Sequence, residues 1–326
     1  MTNISPRTHI RRALGLAALL LACVAPLAAH AQDYPNQTIR IVVPYPPGGS
    51  TDLLARQYAE FLTKEFGQSV LIENRPGAAT NIGADAVARA KPDGYTMLFA
   101  GVNQVLNPAF GPLPPFDLLG AMEPVSLVAR TPFIVAANRE TPFNNPKELL
   151  AAAKAAPGKL TISSAQLDVF VELLKLRAGI DILHVPYKGG APATTDAISG
   201  QVNMVYALVP VLLPHIQGGK LKAIGLTSAK RVSALPNTPT FMESGIDFDS
   251  SVWYGVIAPS GLPRKVQERL LRATHKIVAM PEFGNKMRNG GAEPVASSPT
   301  EFQKQLQGEL AFWGQMAKDM PKLVAK

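Results

Sequence analysis

Apolar residues along the chain fall into short β-branched runs, and most are followed by a stretch with three-to-four spacing. The first run, 38-TIRIVVPY-45, ends at Pro46-Pro47. Leu53, Leu54, Tyr58, Phe61, Leu62 and Phe66 then form one stripe of an amphipathic helix that Gly67 stops. A second run, 69-SVLIEN-74, closes at Arg75-Pro76-Gly77. A short helix over 82–90 and a Pro-Asp-Gly turn at 92–94 lead to a third run, 95-YTMLFAG-101. Helical crossovers between successive strands predict a parallel βαβαβ unit. Residues 107–124, rich in proline, read as a connector.

The alternation then resumes. Strand 133-FIVAAN-138 is followed by Asn145-Pro146-Lys147-Glu148, which supplies an N-cap, a first-turn proline and a third-position acid for a helix ending at Pro157-Gly158. Strands 160-LTIS-163, 181-DILHVPY-187, 201-QVNMVYAL-208 and 221-LKAIGLT-227 alternate with helices near 168–178, 191–199 and 210–217. After 253-WYGVIAP-259 the pattern changes to two long amphipathic helices. One carries Val266, Leu270, Leu271, Ile277 and Val278. The other opens on the capping box Ser298-Pro299-Thr300-Glu301. Two helices cannot form a core of their own, so they are expected to cover the first sheet. That requires the chain to cross back.

The expected architecture is therefore α/β with two lobes. Residues 33–132 and 253–326 form the first lobe, 133–252 form the second, and a ligand cleft lies between two mainly parallel sheets. Residues 1–31 read as a secretory signal peptide: Arg7, Arg11 and Arg12, an apolar run from Ala13 to Ala22, and a small-x-small site at Ala29-His30-Ala31. The apolar run is too short to span a bilayer. The single cysteine, Cys23, falls inside this segment, so no disulfide is expected in the exported chain. The stretch 20-LLAC-23 also resembles a lipoprotein cleavage box, which is the alternative to cutting after Ala31. The expected location is the periplasm.

Charge narrows the function. Without the three early arginines the net charge is about +5, and the basic residues are scattered without interleaved aromatics, unlike a nucleic-acid surface. No Gly-x-Ser-x-Gly elbow, His-Glu-x-x-His, Cys-x-x-Cys or Gly-x-Gly-x-x-Gly occurs in the needed context, so no enzyme activity, metal or cofactor is expected. His184 is expected to pack at a strand end. The chemistry lies instead in a repeated outline. In 43-VPYPPGGSTD-52 and again in 185-VPYKGGAPATTD-196, Val-Pro-Tyr and a glycine pair lead into a helix. A helix start offers unpaired N–H groups and a positive dipole end, and glycines let an anion approach the backbone. Gly48, Gly49, Ser50 and Thr51 are thus candidate carboxylate contacts, with Tyr45 and Pro47 shaping the turn. Asp52 would repel an anion and reads as a first-turn acid favoured by the dipole.

Tyr34-Pro35, 43-VPYPPGGSTD-52, 73-ENRPGA-78, 81-NIGADAVARAKPDGYT-96, 184-HVPYKGGAP-192, 199-SGQVN-203, 214-PHIQGGKLKA-223, 227-TSAKR-231 and 292-AEPV-295 resemble the Bug family, the solute-binding receptors of tripartite tricarboxylate transporters. The resemblance covers nearly the whole exported chain in order. It implies a type II periplasmic-binding-protein fold that closes on a small carboxylate and delivers it to membrane transporter subunits. The alternative is presenting the closed form to a membrane signalling protein such as a sensor kinase. A monomer is expected. The resemblance adds Asn103, Ser163, Ser164, Gln166, Tyr187, Lys188 and Gly189 as cleft-lining candidates. Two departures stand out. The loop 163–167 is shorter than the family's glycine- and serine-rich loop, and Asp168 replaces the histidine that follows it. Ala207-Leu208 replaces a polar Asp-Asn pair, which points to an acid with an apolar or aromatic remainder.

Overall fold

The computed structural model describes residues 34–165 and 167–324. The segment read as a signal peptide, with Cys23, and the candidate Gln166 lie outside the described residues. Strand β1 (Ile39–Val43) leads through α1 (Ser50–Phe66) to β2 (Val70–Asn74), then through α2 (Asn81–Ala88) to β3 (Thr96–Gly101). β1 pairs in parallel with both β2 and β3, as helical crossovers between them require. Gly67, at φ 64°, ends α1 in the left-handed conformation that the sequence position suggests. One residue leaves the expected apolar stripe: Leu53 is 53% exposed.

The segment expected to be a connector is more ordered than its prolines suggest. It holds α3 (Asn103–Phe110), the single turn α4 (Leu118–Ala121) and the start of β4 (Met122–Asn138), a 17-residue strand that contains Pro124 and Pro132. A central strand tolerates proline at a bulge, where a ladder hydrogen bond is already missing. The register of β4 shifts between Pro124 and Ser126.

The second series runs α5 (Pro146–Ala155), β5 (Thr161–Ala165), α6 (Asp168–Ala178), β6 (Leu183–Tyr187), α7 (Gly190–Ser199), β7 (Met204–Leu208), α8 (Val209–Gln217) and β8 (Leu221–Leu226). β5 pairs in parallel with β6 and β7. The chain returns as β9 (Ser251–Pro259), which inserts antiparallel between β3 and β4. It ends with α9 (Arg264–Ala279), α10 (Pro281–Asn289), the two-residue β10 (Glu293–Pro294) on β4, and α11 (Pro299–Asp319). The tail therefore has three helices where two were expected, because Pro281 cannot continue α9 and starts a new helix instead. Strand order is β2-β1-β3-β9-β4-β7-β5-β6, with β8 also on β4. The two parallel sets are joined through antiparallel β4 and β9 into one mixed sheet.

The crossing points between the two sets are knitted by Thr227. Its hydroxyl accepts from the Phe133 N–H at 3.0 Å and donates to the Ser250 carbonyl at 2.6 Å. Its own N–H and carbonyl bond Phe133 and Ser250. On one face of the sheet α11 seats Phe302 edge-on against Trp253, ring centroids 5.2 Å apart, and Trp313 against Phe110 and Phe170. Phe170 belongs to the second series, so the last helix contributes to both.

Gly255 is what lets Phe302 sit close against β9. A Cβ there would lie 2.5 Å from Phe302 Cε1 and 3.0 Å from the Ser126 carbonyl oxygen. Gly255→Ala is therefore expected to cost about 1–3 kcal/mol by overpacking. Urea denaturation checks this. Adding Phe302→Leu should recover part of the loss, because the two positions share one volume. Strictly additive losses would contradict the packing.

Candidate functional site

The carboxyl ends of β1, β2 and β3 gather three segments: the turn 44–50, the loop 75–80 and the start of α3. In the turn, Gly48 takes φ 84°, a left-handed conformation in which a Cβ would be strained, and Gly49 is the extended N-cap of α1. No side chain caps this helix. Among the described residues, the N–H groups of Gly49, Ser50 and Thr51 meet no backbone acceptor, while the Leu53 N–H already bonds the Gly49 carbonyl. Pro46, Pro47, Gly48, Gly49 and Ser50 are exposed, so the Gly49 and Ser50 donors face solvent, whereas Thr51 is buried.

The turn is held from beneath by Asp52, which is 2% exposed. Oδ2 accepts from the Gly48 N–H at 2.9 Å and from Arg56 Nε at 3.0 Å, and Oδ1 accepts from Asn74 Nδ2 at 2.9 Å. Asn74 Nδ2 also donates to the Tyr45 carbonyl at 3.1 Å, tying β2 to the turn. Burial pushes the Asp52 carboxyl up, but hydrogen bonds from Arg56, Gly48 and Asn74 outweigh it and hold it below the usual range. Asp52 is thus more than a first-turn acid. It consumes the Gly48 N–H, so of the two turn glycines only Gly49 keeps its donor.

Behind the turn, Tyr45 donates its hydroxyl to Asn103 Oδ1 at 2.9 Å. Asn103 is the first residue of α3, where it joins the first loop to β3. Tyr254, on β9 beside Gly101, lies under the helix start. Burial raises its phenol, against hydrogen bonds with Ser50, Thr131 and Thr51 that pull the other way. Burial, followed by the neighbouring Tyr254, likewise raises Tyr45. Both phenols stay neutral at any physiological pH.

The loop after β2 abuts this turn. Gly77, Ala78, Ala79 and Thr80 all have positive φ, a run that three non-glycine residues adopt only when their surroundings force it. Gln104 Nε2 donates to Thr80 Oγ1 at 3.0 Å, and Asn107 Nδ2 donates to the Ala79 carbonyl and to Asn81 Oδ1. Behind the loop, Gly83 leaves α2 only 2.7–3.0 Å, from an imagined Cβ, to the Arg75 carbonyl and Pro44. The sequence reading missed the Gln104 and Asn107 supports, since it drew no helix at 103–110 and took residues from 107 onward as a connector.

At the ends of β5, β6 and β7 the candidates divide. Ser163 is fully buried and its hydroxyl serves the Ala193 and Met204 carbonyls, so it anchors α7. Tyr187 is half-buried and donates to Asp196 Oδ2. Gly189 is the N-cap of α7, and Lys188 is exposed. Ser164 is fully buried and bonds His184 Nε2 at 2.8 Å, while His184 Nδ1 lies 3.5 Å from Asp168 Oδ1. His184 is therefore not idle packing at a strand end. With its proton on Nδ1, the imidazole accepts from Ser164 and faces Asp168. The three side chains line up as a nucleophile, base and acid would, yet Ser164 has no exposed surface for a substrate. A separate cavity of about 250 Å³ lies between α6 and α11, lined by Arg130, Phe170, Glu309 and Trp313 among others. Glu309 there already accepts from Trp253 Nε1 and Gln305 Nε2, both at 2.8 Å, and none of the candidate residues reaches it. Among the described residues no cluster of His, Cys, Asp and Glu could hold a metal.

The architecture is that of periplasmic solute-binding proteins. Residues 54–321 match the tripartite tricarboxylate transporter family receptor model. The chain belongs to that family. It is 32% identical over 319 residues to protein BugT of Bordetella pertussis, covering 96% of this chain and 97% of that one. The solved structure of the periplasmic binding protein BugD shares 33% identity and a TM-score of 0.70, over 88% of this chain and 98% of that one. Rpa4515 of R. palustris, solved with adipate, shares 31% identity and a TM-score of 0.75, over 88% and 98%. The protein is thus a solute-binding receptor and not an enzyme, and the receptors of this family are periplasmic. Among the described residues no helix is long and apolar enough to cross a membrane.

Burial lowers the His184 pKa, while Asp168 and Glu172 pull it up and Lys175 pulls it down. Unfolded histidine, near pH 6.5, then holds its proton more tightly than folded His184. Stability from this group is full above that value and is lost as pH falls through it towards the folded pKa. Melting temperatures from about pH 7.5 down to 5 should therefore fall more steeply for the wild type than for His184→Gln. Parallel profiles would contradict this.

Proposed function

We propose that the protein captures a small organic acid by closing two lobes, residues 33–132 with 253–326 and residues 133–252, and delivers it to membrane transporter subunits. The observation that carries the reading is the uncapped start of α1. Its N–H donors at Gly49 and Ser50 lie on an exposed turn already fixed by Asp52 and Asn74, and the Thr51 N–H follows them into the buried side of the helix. A preformed cradle of this kind binds an anion with little ordering cost and needs no arginine. Gly189 and Lys188 stand at the corresponding start of α7. Beside them the wall is apolar: Ala207, Leu208 and Val209 lead into α8, and Val211 is 42% exposed and comes within 3.9 Å of an imagined Gly190 Cβ. The ligand that fits is an acid with one carboxylate at α1 and an apolar or aromatic remainder towards α7 and α8. Adipate in the related receptor supports the carboxylate half of this reading.

Of the sequence candidates, Gly49, Ser50, Tyr45, Asn103 and Gly189 fit this role, while Thr51 is buried and Lys188 is exposed. Ser163 and Ser164 support the second wall from below. Native mass spectrometry of the purified protein, followed by release of bound material, should yield an organic acid. Gly49 has φ −76° and only the Pro46 carbonyl within 4 Å of an imagined Cβ, at 3.8 Å, so Gly49→Val should fold. It should nevertheless weaken binding of the released acid at least about tenfold, roughly 1.4 kcal/mol, by blocking approach to the donors. Unchanged affinity in calorimetry would refute the assignment.

A further inference from the structure

Asp168 is the first residue of α6 and follows the end of β5 by three positions, so its carboxylate stands at the rim where β5, β6 and β7 all end. Its side chain is 42% exposed, whereas the His184 imidazole beneath it is only 10% exposed. His184 faces Asp168 through Nδ1 and is itself fixed by Ser164 through Nε2, so the acid has a defined place on the wall. Of the other charges on this helix, Lys175 is paired with Glu172 at 2.9 Å, Glu172 lies one turn from Asp168 on the same side, and Arg177 sits in the last turn over the Phe312 ring, away from Asp168. Lys188 is exposed on the neighbouring loop. The rim of the second series thus presents a fixed negative charge, and its strand ends meet those of the first series at the middle of β4, where Ala129 faces Tyr254 and Phe133 faces Leu208.

We infer that Asp168, positioned by His184 and Ser164, is a charge-selecting residue that favours acids with one carboxylate over acids with two. The inference rests on the carboxylate reading above. A ligand anchored by one carboxylate at α1 extends its far end towards the second wall. A neutral far end meets Asp168 without penalty. A second carboxylate is repelled there, in a cleft where closure lowers the effective dielectric and strengthens the repulsion.

Calorimetry at pH 7.5 with pairs of equal skeleton, hexanoate against adipate and benzoate against terephthalate, tests this on the wild type, Asp168→Asn and Asp168→Ser. The wild type should bind the monoacid of each pair at least about tenfold more tightly. Both variants should bring that ratio towards one, chiefly by tightening the diacid. Asp168 is half exposed, so both variants should fold, which thermal melts verify. A wild type that prefers the diacid, or variants that bind with an unchanged ratio, would overturn the inference. If neither acid of either pair binds the folded wild type, the carboxylate reading fails, and this inference fails with it.

Discussion

The buried carboxylate of Asp52 is the constraint on which the candidate site depends. It gathers an N–H from the turn, a guanidinium from the next helical turn and an amide from β2. A charge so deeply placed is costly unless fully bonded, and here every partner is also a piece of the site. The interaction therefore does two things with one group. It fixes the left-handed Gly48 turn, and it leaves the next donors, from Gly49 onward, without a competing acceptor. An anion receptor with a carboxylate at its base looks contradictory until the direction of that carboxylate is known. Asp52 faces inward and neutralises Arg56, while the helix start faces outward.

The larger architecture serves the same end. β4 and β9 run through the middle of the sheet in opposite directions, and they bring the strand ends of both parallel sets to the same region. Thr227 ties together the crossings at Phe133 and Ser250, and α11 spans both series through Trp313.

Much of this was legible in the sequence, for identifiable reasons. Local signals succeeded: the period of the strands, the capping box at Ser298, the glycine that stops α1 and the glycine pairs before α1 and α7 each act within a few residues. Long-range ones did not. The second half of β4 was read as a strand, but its first half was hidden because Pro124 argues against a central strand unless the bulge beside it is known. Asp52 and Asn74 lie 22 residues apart and meet only because β1 and β2 are neighbours. The hydroxyl of Ser163 was assigned to the cleft from its place in a loop pattern, but the pleat of β5 turns it towards α7 while Ser164 turns towards His184. A strand's alternation decides which of two adjacent serines faces which layer, and the sequence alone did not settle that phase.

The account centres on the backbone donors at the start of α1, and amide NMR reads them directly. Titrating the ¹⁵N-labelled protein with benzoate and with hexanoate should move the Gly49, Ser50 and Thr51 amide resonances furthest, in the direction of stronger hydrogen bonding. The Gly48 amide, already bonded to Asp52, should move less. Shifts confined to the cavity beside Trp313, with the α1 amides unmoved at saturation, would contradict it.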